Sequence, residues 1–367
     1  METNKVEDPQ EGSDTDRRLV IAHGKAATCW QSLHPQLCRW YSSSGDALVG
    51  YVINRGVRVA AGEPICPIER MAEVCREFER EAARNGEKVC YLAAEPRMIR
   101  ALERAGAPHS VLNIGAQPEW KPGSLLNRFR TSSSLRYQVS RARHKGLVVS
   151  EWNAQSPAKQ SLAVCLDEWI AAKSLPPMGF MTDPHLLDRL TDRRVVVATV
   201  AGAVTGYAVM TPVPARNGWL IEQIVRCGMA PNGISESLVA GAAQSAASSG
   251  DTFITLGASP LSRRVPSGSM PFWLALLIWW MRAHGTRFYN FRGLDAFKAK
   301  FHPDQWVPVY LAAAEPKITL PTLYAVLGAF TLDSPVKVIG KVFFDAALSE
   351  VKSVLKGKSQ PNAPKSP

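Results

Sequence analysis

The chain has 367 residues, with 43 Lys and Arg against 32 Asp and Glu, which gives a formal net charge of +11. A hydrophobic fraction of 46% excludes an intrinsically disordered chain, and the length predicts about two domains. The positive excess favours anionic partners such as nucleic acid, anionic lipid or a phosphorylated ligand.

Hydrophobic periodicity and turn residues predict two similar halves. The first predicts two strands, a helix, a strand, a helix and a strand. The second predicts a strand, a helix, three strands, a helix, a strand, two helices and a strand. The segments are 48–53, 57–61, 71–85, 88–93, 97–105 and 110–115, then 148–152, 157–173, 194–200, 203–210, 217–225, 233–248, 252–256, 272–284, 295–301 and 307–312. This order predicts an α/β fold of tandem GNAT-like (acyl-CoA N-acyltransferase-like) units.

The composition along the chain predicts the domain boundaries. A disordered tail, a first unit, a basic linker helix, a second and catalytic unit, an amphipathic appendage and a second disordered tail follow one another. Their ranges are 1–18, 19–125, 126–146, 147–315, 316–356 and 357–367. The polar side of the appendage carries Lys337, Lys341, Lys352 and Lys356.

Cysteine and hydropathy patterns exclude several protein classes. The seven cysteines include no CxxC pair, so we expect reduced thiols and no zinc site. The N-terminus is acidic and polar, unlike a secretory signal. The apolar run Met270–Met281 has 12 residues, which is short of the roughly 18–20 that span a bilayer. It contains three tryptophans and predicts either a buried helix or a lipid-facing wall.

The segment Lys121–Ser150 is the clearest electrostatic feature, because it carries seven cations and no acid. A helix is predicted from Ser133 to Lys145, with an N-cap among Ser132–Ser134 and a stop at Gly146. Its apolar stripe can dock on the core while the cations bind phosphates of RNA or of lipid headgroups; the alternative is a solvated helix. The candidate phosphate-binding residues are Arg128, Arg130, Arg136, Arg141, Arg143 and Lys145.

A strand, a Gly/Pro-rich loop and a helix follow one another in IEQIVRCGMAPNGISESL (221–238). Free N–H groups at a helix start near Gly233 can hold an anion. Strand alternation places Glu222, Ile224 and Arg226 on one face, and Glu236 falls in the first helical turn. A carboxylate near an arginine and a helix start suits acyl transfer, although Glu236 could simply complement the helix dipole.

The segment YNFRGLDAFKAKFHPDQWVPVY (289–310) combines cations with aromatic residues. If its phenylalanines pack inward, Lys298 and Lys300 are partly free, and the neighbouring cation and aromatics can hold phosphate and stack a base or sugar. A solvated charged face with core aromatics is the alternative. The residues added to the candidate site are Arg292, Trp306 and Tyr310.

The sequence contains no GxSxG, Walker A or GxGxxG motif. Taken together, its segments resemble the catalytic domain of phosphatidylglycerol lysyltransferases, the multiple peptide resistance factor family, over about residues 45–312. The resemblance rests on GYVINRGVRVAAGEPICP (50–67), IGAQPEW (114–120), RYQVSRARHKGLVVSEW (136–152), EWIAAKSLPPMGFM (168–181), PARNGWLIEQIVRCGMAPNGISESLV (214–239), LGASPLS (256–262) and NFRGLDAFKAKFHPDQWVPVYL (290–311).

The resemblance implies a tandem GNAT fold that moves an amino acid, lysyl or alanyl, from aminoacyl-tRNA to the hydroxyl of phosphatidylglycerol. It implies that the basic helix binds tRNA and lipid headgroups, with aminoacyl-tRNA and anionic phospholipid as partners. It also implies an active-site region that contains Arg226, Asn232, Gly233, Glu236, Lys298 and Lys300. Catalysis is expected from Glu222 or Glu236 with Arg226 and Lys300. No cofactor is expected, because the donor is already an activated ester.

Two features depart from the family pattern. Well-known members carry an acidic residue three positions before the arginine, where this chain has Gln223, and the adjacent Glu222 is expected to point to the other face. Those members also begin with a membrane flippase region, whereas this sequence predicts no span. We therefore expect an enzyme in the cytoplasm that binds peripherally to the inner face of the membrane. The alternatives are an acyl-CoA-dependent N-acyltransferase, a transferase with another acceptor, and a non-enzymatic RNA- or membrane-binding module.

Overall fold

The computed structural model describes residues 12–153, 157–173, 179–266, 272–276, 279 and 290–330. The helices in this part of the chain are α1 Asp14–His23, α2 Met71–Arg84, α3 Pro96–Arg104, α4 Pro122–Thr131, α5 Ser133–His144, α6 Lys159–Ala171, α7 Ile234–Ser248, α8 Phe291–Ala299 and α9 Leu320–Phe330. The strands are β1 Cys38–Tyr41, β2 Leu48–Asn54, β3 Val57–Ala61, β4 Lys88–Ala94, β5 Ser110–Trp120, β6 Leu147–Glu151, β7 Arg194–Val200, β8 Ala203–Val213, β9 Gly218–Arg226, β10 Phe253–Thr255, β11 Ser259–Pro260 and β12 Gln305–Ala313. None of the described helices is both long and apolar enough to cross a membrane.

All twelve strands form one sheet in the order β1-β2-β3-β4-β12-β5-β10-β9-β8-β7-β6, with β11 paired to β5. The α/β class and the GNAT-like order of elements predicted from the sequence are confirmed. In each half, antiparallel strands lead to a parallel pair, β3·β4 or β9·β10, whose crossover contains a helix, α2 or α7. The antiparallel pair β5·β12 lies at the centre.

The two halves exchange their last strands, which the sequence did not predict. β12 follows the second half in the chain, yet it lies between β4 and β5 of the first. β5 ends the first half and pairs with β10 of the second. The halves therefore share one continuous hydrogen-bonded sheet, although the chain shows no sequence repeat.

A buried ion pair marks the junction of the halves. Glu119 of β5 is 3% exposed, and its carboxylate accepts two hydrogen bonds from Arg216, at 2.7 and 2.6 Å, and one from Gln305 at 2.9 Å. Burial alone would raise the pKa of Glu119, but these donors hold it below its usual value. Because Arg216 follows β8 and Gln305 begins β12, the contact ties both halves to the central strand.

Each face of the sheet carries its own helices. We call face A the side covered by α2, α3, α4, α5, α7 and α8, and face B the side covered by α1, α6 and α9. Tyr310 packs in the α2/α3 cluster and Trp120 in the α7 cluster. The register Trp306↔Pro118 places these two clusters on the same side, because paired residues share a face and strand residues alternate.

The N-terminus departs from the predicted disordered tail, because α1 begins at Asp14. Ser13 caps the helix by accepting a hydrogen bond from the Asp16 N–H, and the Asp16 side chain accepts from the Ser13 N–H. This capping box is an S-x-x-D pattern that the sequence analysis overlooked. Of the C-terminal appendage, the structure describes helix α9, while its four lysines and the second tail lie outside the described residues.

The cysteines are not all reduced, contrary to the prediction. Cys165 of α6 and Cys227, which directly follows β9, form a disulfide with a Cα–Cα distance of 5.1 Å. The other five remain thiols: Cys29, Cys38, Cys66, Cys75 and Cys90. No spacing signal reveals the bond, because 62 residues separate the two partners and only the packing of α6 beside β9 brings them together.

Thiol titration in denaturant tests this disulfide. We expect five reactive thiols per chain before reduction and seven afterwards. A Cys165→Ser variant should show all six of its remaining thiols without reductant. Seven thiols in the unreduced wild-type protein would contradict the bond.

Candidate active site between β9 and β10

β9 contains an extra residue next to the point where its pairing with β10 ends. Met210 of β8 pairs with Ile221, and the preceding Val209 pairs with Gln223, so Glu222 is inserted in β9 as a β-bulge. β9 pairs with β10 only from Gly218 to Leu220, although β9 continues to Arg226. β10 ends at Thr255, opposite Leu220, so beyond Leu220 no described strand pairs with this edge of β9; we call this unpaired edge the gap.

The gap belongs to the second half. In the first half the equivalent strand β3 pairs with β4 along its whole length, from Val57 to Ala61. A parallel pair that stays hydrogen-bonded leaves no opening for a substrate. The structure therefore places the candidate site in the half that the sequence predicted as catalytic.

Glu222 lies on face B. Its carboxylate accepts hydrogen bonds from Gln31 at 2.8 Å and from the Thr211 hydroxyl, and Arg193 lies 4.0 Å away. Ile224 instead packs in the α7 cluster on face A. The predicted alternation of Glu222, Ile224 and Arg226 on one face is therefore wrong, because the bulge shifts the side-chain order by one residue.

The same bulge changes the relation between Glu222 and Gln223. Thr211 donates a hydrogen bond to Glu222, and Val209 pairs with Gln223. Thr211 and Val209 are two residues apart on β8, so both point to face B. Glu222 and Gln223 therefore point to the same side, contrary to the expectation from the sequence. The Glu222 carboxylate therefore lies on the same face as Gln223, which stands where the family pattern has an acidic residue, although Glu222 comes one residue earlier in the chain.

Sequence reasoning missed the residues that hold Glu222. Gln31 comes from a short 3-10 helix, Cys29–Leu33, and lies 191 residues away in the chain. Arg193 donates to Thr211 at 3.2 Å and to the Arg189 carbonyl at 2.6 Å. No local motif signals contacts over such separations.

Arg226 ends β9 on the surface, beside α6. Burial lowers the pKa of Lys173, and the positive charge of Arg226 lowers it further. Within the described part of the chain, no hydrogen bond or ion pair joins Arg226 to Glu222, Glu236 or Lys300. The arginine is exposed at the end of β9 and is not assembled with the other candidates.

The loop after β9 is covered by α5. Gly233 has φ +93°, and a Cβ there would lie 2.1 Å from the Gln138 carbonyl oxygen of α5. Only glycine fits both the backbone angle and this approach. Asn232 beside it is exposed. The start of α7 therefore packs directly under the basic helix, as well as lying next to the gap.

Glu236 and Lys300 form an ion pair on face A. Glu236 lies in the first turn of α7, and Lys300 caps α8 with its ammonium group 4.1 Å from the Phe297 ring centroid. Lys300 was predicted to be partly free; it is one third exposed, at 33%, but it is bound to Glu236. The cation is held in a fixed position at the carboxyl end of β9.

Lys298 is buried, contrary to the prediction, with 6% exposure. Its ammonium donates to the carbonyls of Gly257 at 2.9 Å and Ala258 at 2.7 Å. Burial lowers its pKa to about 7, and Asp295 opposes this shift. The lysine fixes the chain that leaves β10 and so holds the far edge of the gap.

The aromatic candidates do not join the site as predicted. Tyr310 packs in the α2/α3 core of the first half, because β12 runs away from the gap towards β4. Trp306 is half-buried, and the Arg264 guanidinium lies 5.7 Å from its ring centroid. Arg292 is exposed at the start of α8.

The predicted helix Ser133–Lys145 is α5, Ser133–His144, and a second helix, α4, precedes it and meets it at Ser132. Ser132 caps α5, as predicted, by accepting from the Leu135 N–H at 3.4 Å. Arg128 is not free, because it pairs with Asp304 at 3.4 Å. Among the described residues no ion pair forms to the other five predicted cations, which are Arg130, Arg136, Arg141, Arg143 and Lys145; all but the partly buried Arg141 are exposed.

The candidate groups thus lie on two sides of one gap. Glu222 with its hydrogen-bond partners lies on face B, whereas the Glu236–Lys300 pair and the basic helices lie on face A. Such a gap can bring two substrates together from opposite faces, with a carboxylate on one side and a fixed cation on the other. A base and a fixed cation are the groups that an acyl transfer needs.

Comparison with known proteins identifies the family. Residues 18–313 match the family described as phosphatidylglycerol lysyltransferase, C-terminal. The chain belongs to this family. It is 24% identical over 284 residues to the lysylphosphatidylglycerol biosynthesis bifunctional protein LysX of Rhodococcus jostii, which covers 74% of this chain and 24% of that protein. It is 24% identical over 293 residues to a phosphatidylglycerol lysyltransferase of Bacillus subtilis, which covers 78% of this chain and 33% of that protein.

A solved structure supports the fold of this family member. The structure of L-PGS from Bacillus licheniformis matches with a TM-score of 0.72 at 21% identity, and the match covers 89% of this chain and 98% of that chain. The chain spans between 24% and 42% of the length of the curated relatives that it matches first. The predicted family resemblance is confirmed.

The buried Lys298 gives a pH-dependent prediction. Its folded pKa is about 7, against 10.5 for a free lysine, so between these values the unfolded chain binds a proton that the folded chain lacks. The free energy of unfolding should therefore rise with pH in this window, by up to ~1.4 kcal/mol per pH unit. Denaturant unfolding of the wild type and of Lys298→Met from pH 7 to 10 measures the difference, and parallel curves for the two proteins would contradict it.

Proposed function

We propose that the protein transfers an amino acid from aminoacyl-tRNA to the glycerol hydroxyl of phosphatidylglycerol. The observation that carries this proposal is the gap beside β9, with a carboxylate on face B and an ion-paired lysine and a basic surface on face A. Family membership supports the lipid acceptor. The tRNA donor is supported by five cations of α4, α5 and the C-cap of α5 that form no ion pair among the described residues.

The donor is proposed to approach from face A. Its phosphates would bind the exposed cations of α4 and α5, which suits a polyanion. The charged 3′ end would then reach the gap past Gly233 and the Glu236–Lys300 pair. Lys300 is positioned to stabilise the negative charge that develops on the ester oxygen during attack.

The acceptor is proposed to approach from face B. Its hydroxyl donates to Glu222, which can still accept because a carboxylate has about four lone-pair sites and Gln31 and Thr211 occupy two. Glu222 takes the proton as the hydroxyl oxygen attacks the ester carbonyl. The bond to the tRNA ribose oxygen breaks, and that oxygen receives the proton. The donor is an activated ester, so the proposed reaction uses no metal or organic cofactor.

This reaction places the enzyme at the inner face of the cytoplasmic membrane, where charged tRNA and lipid headgroups meet. The product carries an added cationic group, so the reaction would lower the negative charge of the membrane and its attraction for cationic antimicrobial peptides. The identity of the amino acid, lysyl or alanyl, depends on contacts to its side chain.

An acyl-CoA-dependent N-acyltransferase is the second candidate, because the topology is GNAT-like. Acyl-CoA enzymes of this fold present a glycine-rich loop to the pyrophosphate, such as QxxGxG. Here the loop has only Gly228 and Gly233, and α5 packs against the latter at the Gln138 carbonyl. Absence of acetyl-CoA binding in calorimetry is the expected result.

Activity should depend on Glu222 and Lys300. With labelled aminoacyl-tRNAs and phosphatidylglycerol micelles, we expect lipid-soluble label. Glu222→Gln should lower the rate by about 10²-fold or more, because it removes the base, and Lys300→Ala by about 10–10²-fold. Arg104→Ala, an exposed cation at the end of α3 in the first half, is the matched control. Absence of label with every amino acid would contradict the function, and full activity of both variants would contradict the site.

The basic surface should bind RNA with a strong salt dependence. Replacing Arg130, Arg136, Arg143 and Lys145 with Gln should reduce the slope of log K against log salt by about three. The control replaces four exposed cations on face A of the first half, Arg76, Arg80, Arg84 and Arg100, and so removes equal charge. Equal slopes for both quadruple variants would show that charge alone, and not this surface, binds tRNA.

A further inference from the structure

We propose that the chain docks on an anionic phospholipid bilayer through an apolar surface on face B, formed by residues 272–276 and helix α9. This inference rests on the proposed function, because it names the surface that delivers the lipid acceptor. We call it the docking surface and define it by Phe272, Trp273, Leu276, Leu320 and Leu327. The sequence pointed to the basic helix and to the apolar segments as membrane contacts, and the proposal assigns the bilayer contact to the apolar segments alone.

Large apolar side chains are exposed at helical spacing in both segments. Phe272 is 83% and Leu276 53% exposed, four residues apart, while Leu320 is 62% and Leu327 42% exposed, seven apart. Such spacings place each pair on one side of its helix. Leu274 on the other side of its segment is buried.

The two segments belong to one surface, because they pack on the same core. Leu274 and Ala325 lie in a single cluster with Val59 and Leu92 of the sheet. Both segments therefore cover face B of the sheet. Scattered apolar residues on a soluble surface are ordinary, but exposed sets at helical spacing on two elements of one face mark an interaction site.

The charges around the surface favour a bilayer as the occupant. Neither residues 272–276 nor α9 contains an acidic residue. Arg55 lies over the Tyr324 ring of α9 at 4.3 Å, and Lys317, which precedes α9, is exposed. Cations beside exposed leucine, phenylalanine and tryptophan suit the boundary between anionic headgroups and acyl chains.

A short segment connects the docking surface with the candidate acceptor site. Phe180 packs edge-on against Phe330 of α9, with ring centroids 5.5 Å apart. Four residues later, the Pro184 carbonyl accepts a hydrogen bond from Gln223 at 2.8 Å, and Gln223 adjoins Glu222 at the bulge. A headgroup entering beside this segment from the bilayer would approach the carboxylate on its own face.

The basic helices cannot share this plane of contact. α4 and α5 pack against α7 on face A, and the sheet separates them from the docking surface. An enzyme that rests on the bilayer through face B leaves face A free for a large polyanion. The bilayer and the tRNA therefore do not compete for the same cations.

Vesicle co-sedimentation of the full chain without tRNA tests the proposal. Vesicles of phosphatidylglycerol and phosphatidylcholine should bind the wild type, whereas Phe272→Glu with Leu276→Glu, and Leu320→Glu with Leu327→Glu, should each weaken partitioning at least about tenfold. The matched control is Ile68→Glu with Val148→Glu, which adds the same charge at two exposed apolar sites outside the surface. The partitioning of this control onto vesicles should fall by clearly less than that of either docking-surface variant.

Further measurements separate the possible outcomes. Brominated lipid should quench part of the tryptophan fluorescence of the wild type, and this part should be missing in Trp273→Phe. Unchanged unfolding midpoints show that the variants fold. Unaltered vesicle binding by both double variants overturns the proposal. It is also overturned if the wild type is a dimer and the double variants are monomers, because the surface would then bind a second copy of the chain. Transfer activity in micelles is measured separately from vesicle binding. If the double variants lose vesicle binding but the wild type shows no transfer, the docking surface is supported and the proposed function is rejected.

Discussion

The site depends on one irregularity, the extra residue in β9. β9 pairs with β10 only as far as Leu220, where β10 ends, whereas β3 and β4 of the first half stay paired along all of β3. The bulge at Glu222 lies directly beyond this point. It turns the Glu222 carboxylate to face B, where Gln31 and Thr211 hold it. Lys298 then fixes the opposite edge through the carbonyls of Gly257 and Ala258.

The exchange of end strands gives this gap a rigid frame. β5 and β12 pair along nine positions at the centre of the sheet, and Glu119 fastens Arg216 and Gln305 to it. Because the halves share one sheet, they cannot move apart without breaking buried hydrogen bonds. A continuous sheet also separates two surfaces of different chemistry, one basic and one apolar. That separation suits the proposed transfer of an amino acid from a polyanion to a membrane lipid.

The sequence predicted the local chemistry of the site better than its geometry. The N-cap at Ser132 and the α/β order of strands and helices are local properties, and they are confirmed. Tyr310 and Lys298 were misplaced, because their neighbours in space come from β4 and from the end of β10. The Cys165–Cys227 bond and the contact of Gln31 with Glu222 join segments 62 and 191 residues apart. Long-range pairs of this kind leave no periodic signal in the chain.

The sequence by itself determined the α/β class, the concentration of positive charge between the halves and the family. These follow from hydrophobic periodicity, composition and the segments that carry the resemblance, each of which is written within a short stretch of chain. Only the tertiary structure decided which face each candidate residue occupies. A single inserted residue reverses the side-chain order of a strand, and its position is set by pairing with β8, so the two sides of the gap became visible only when the strands were placed together.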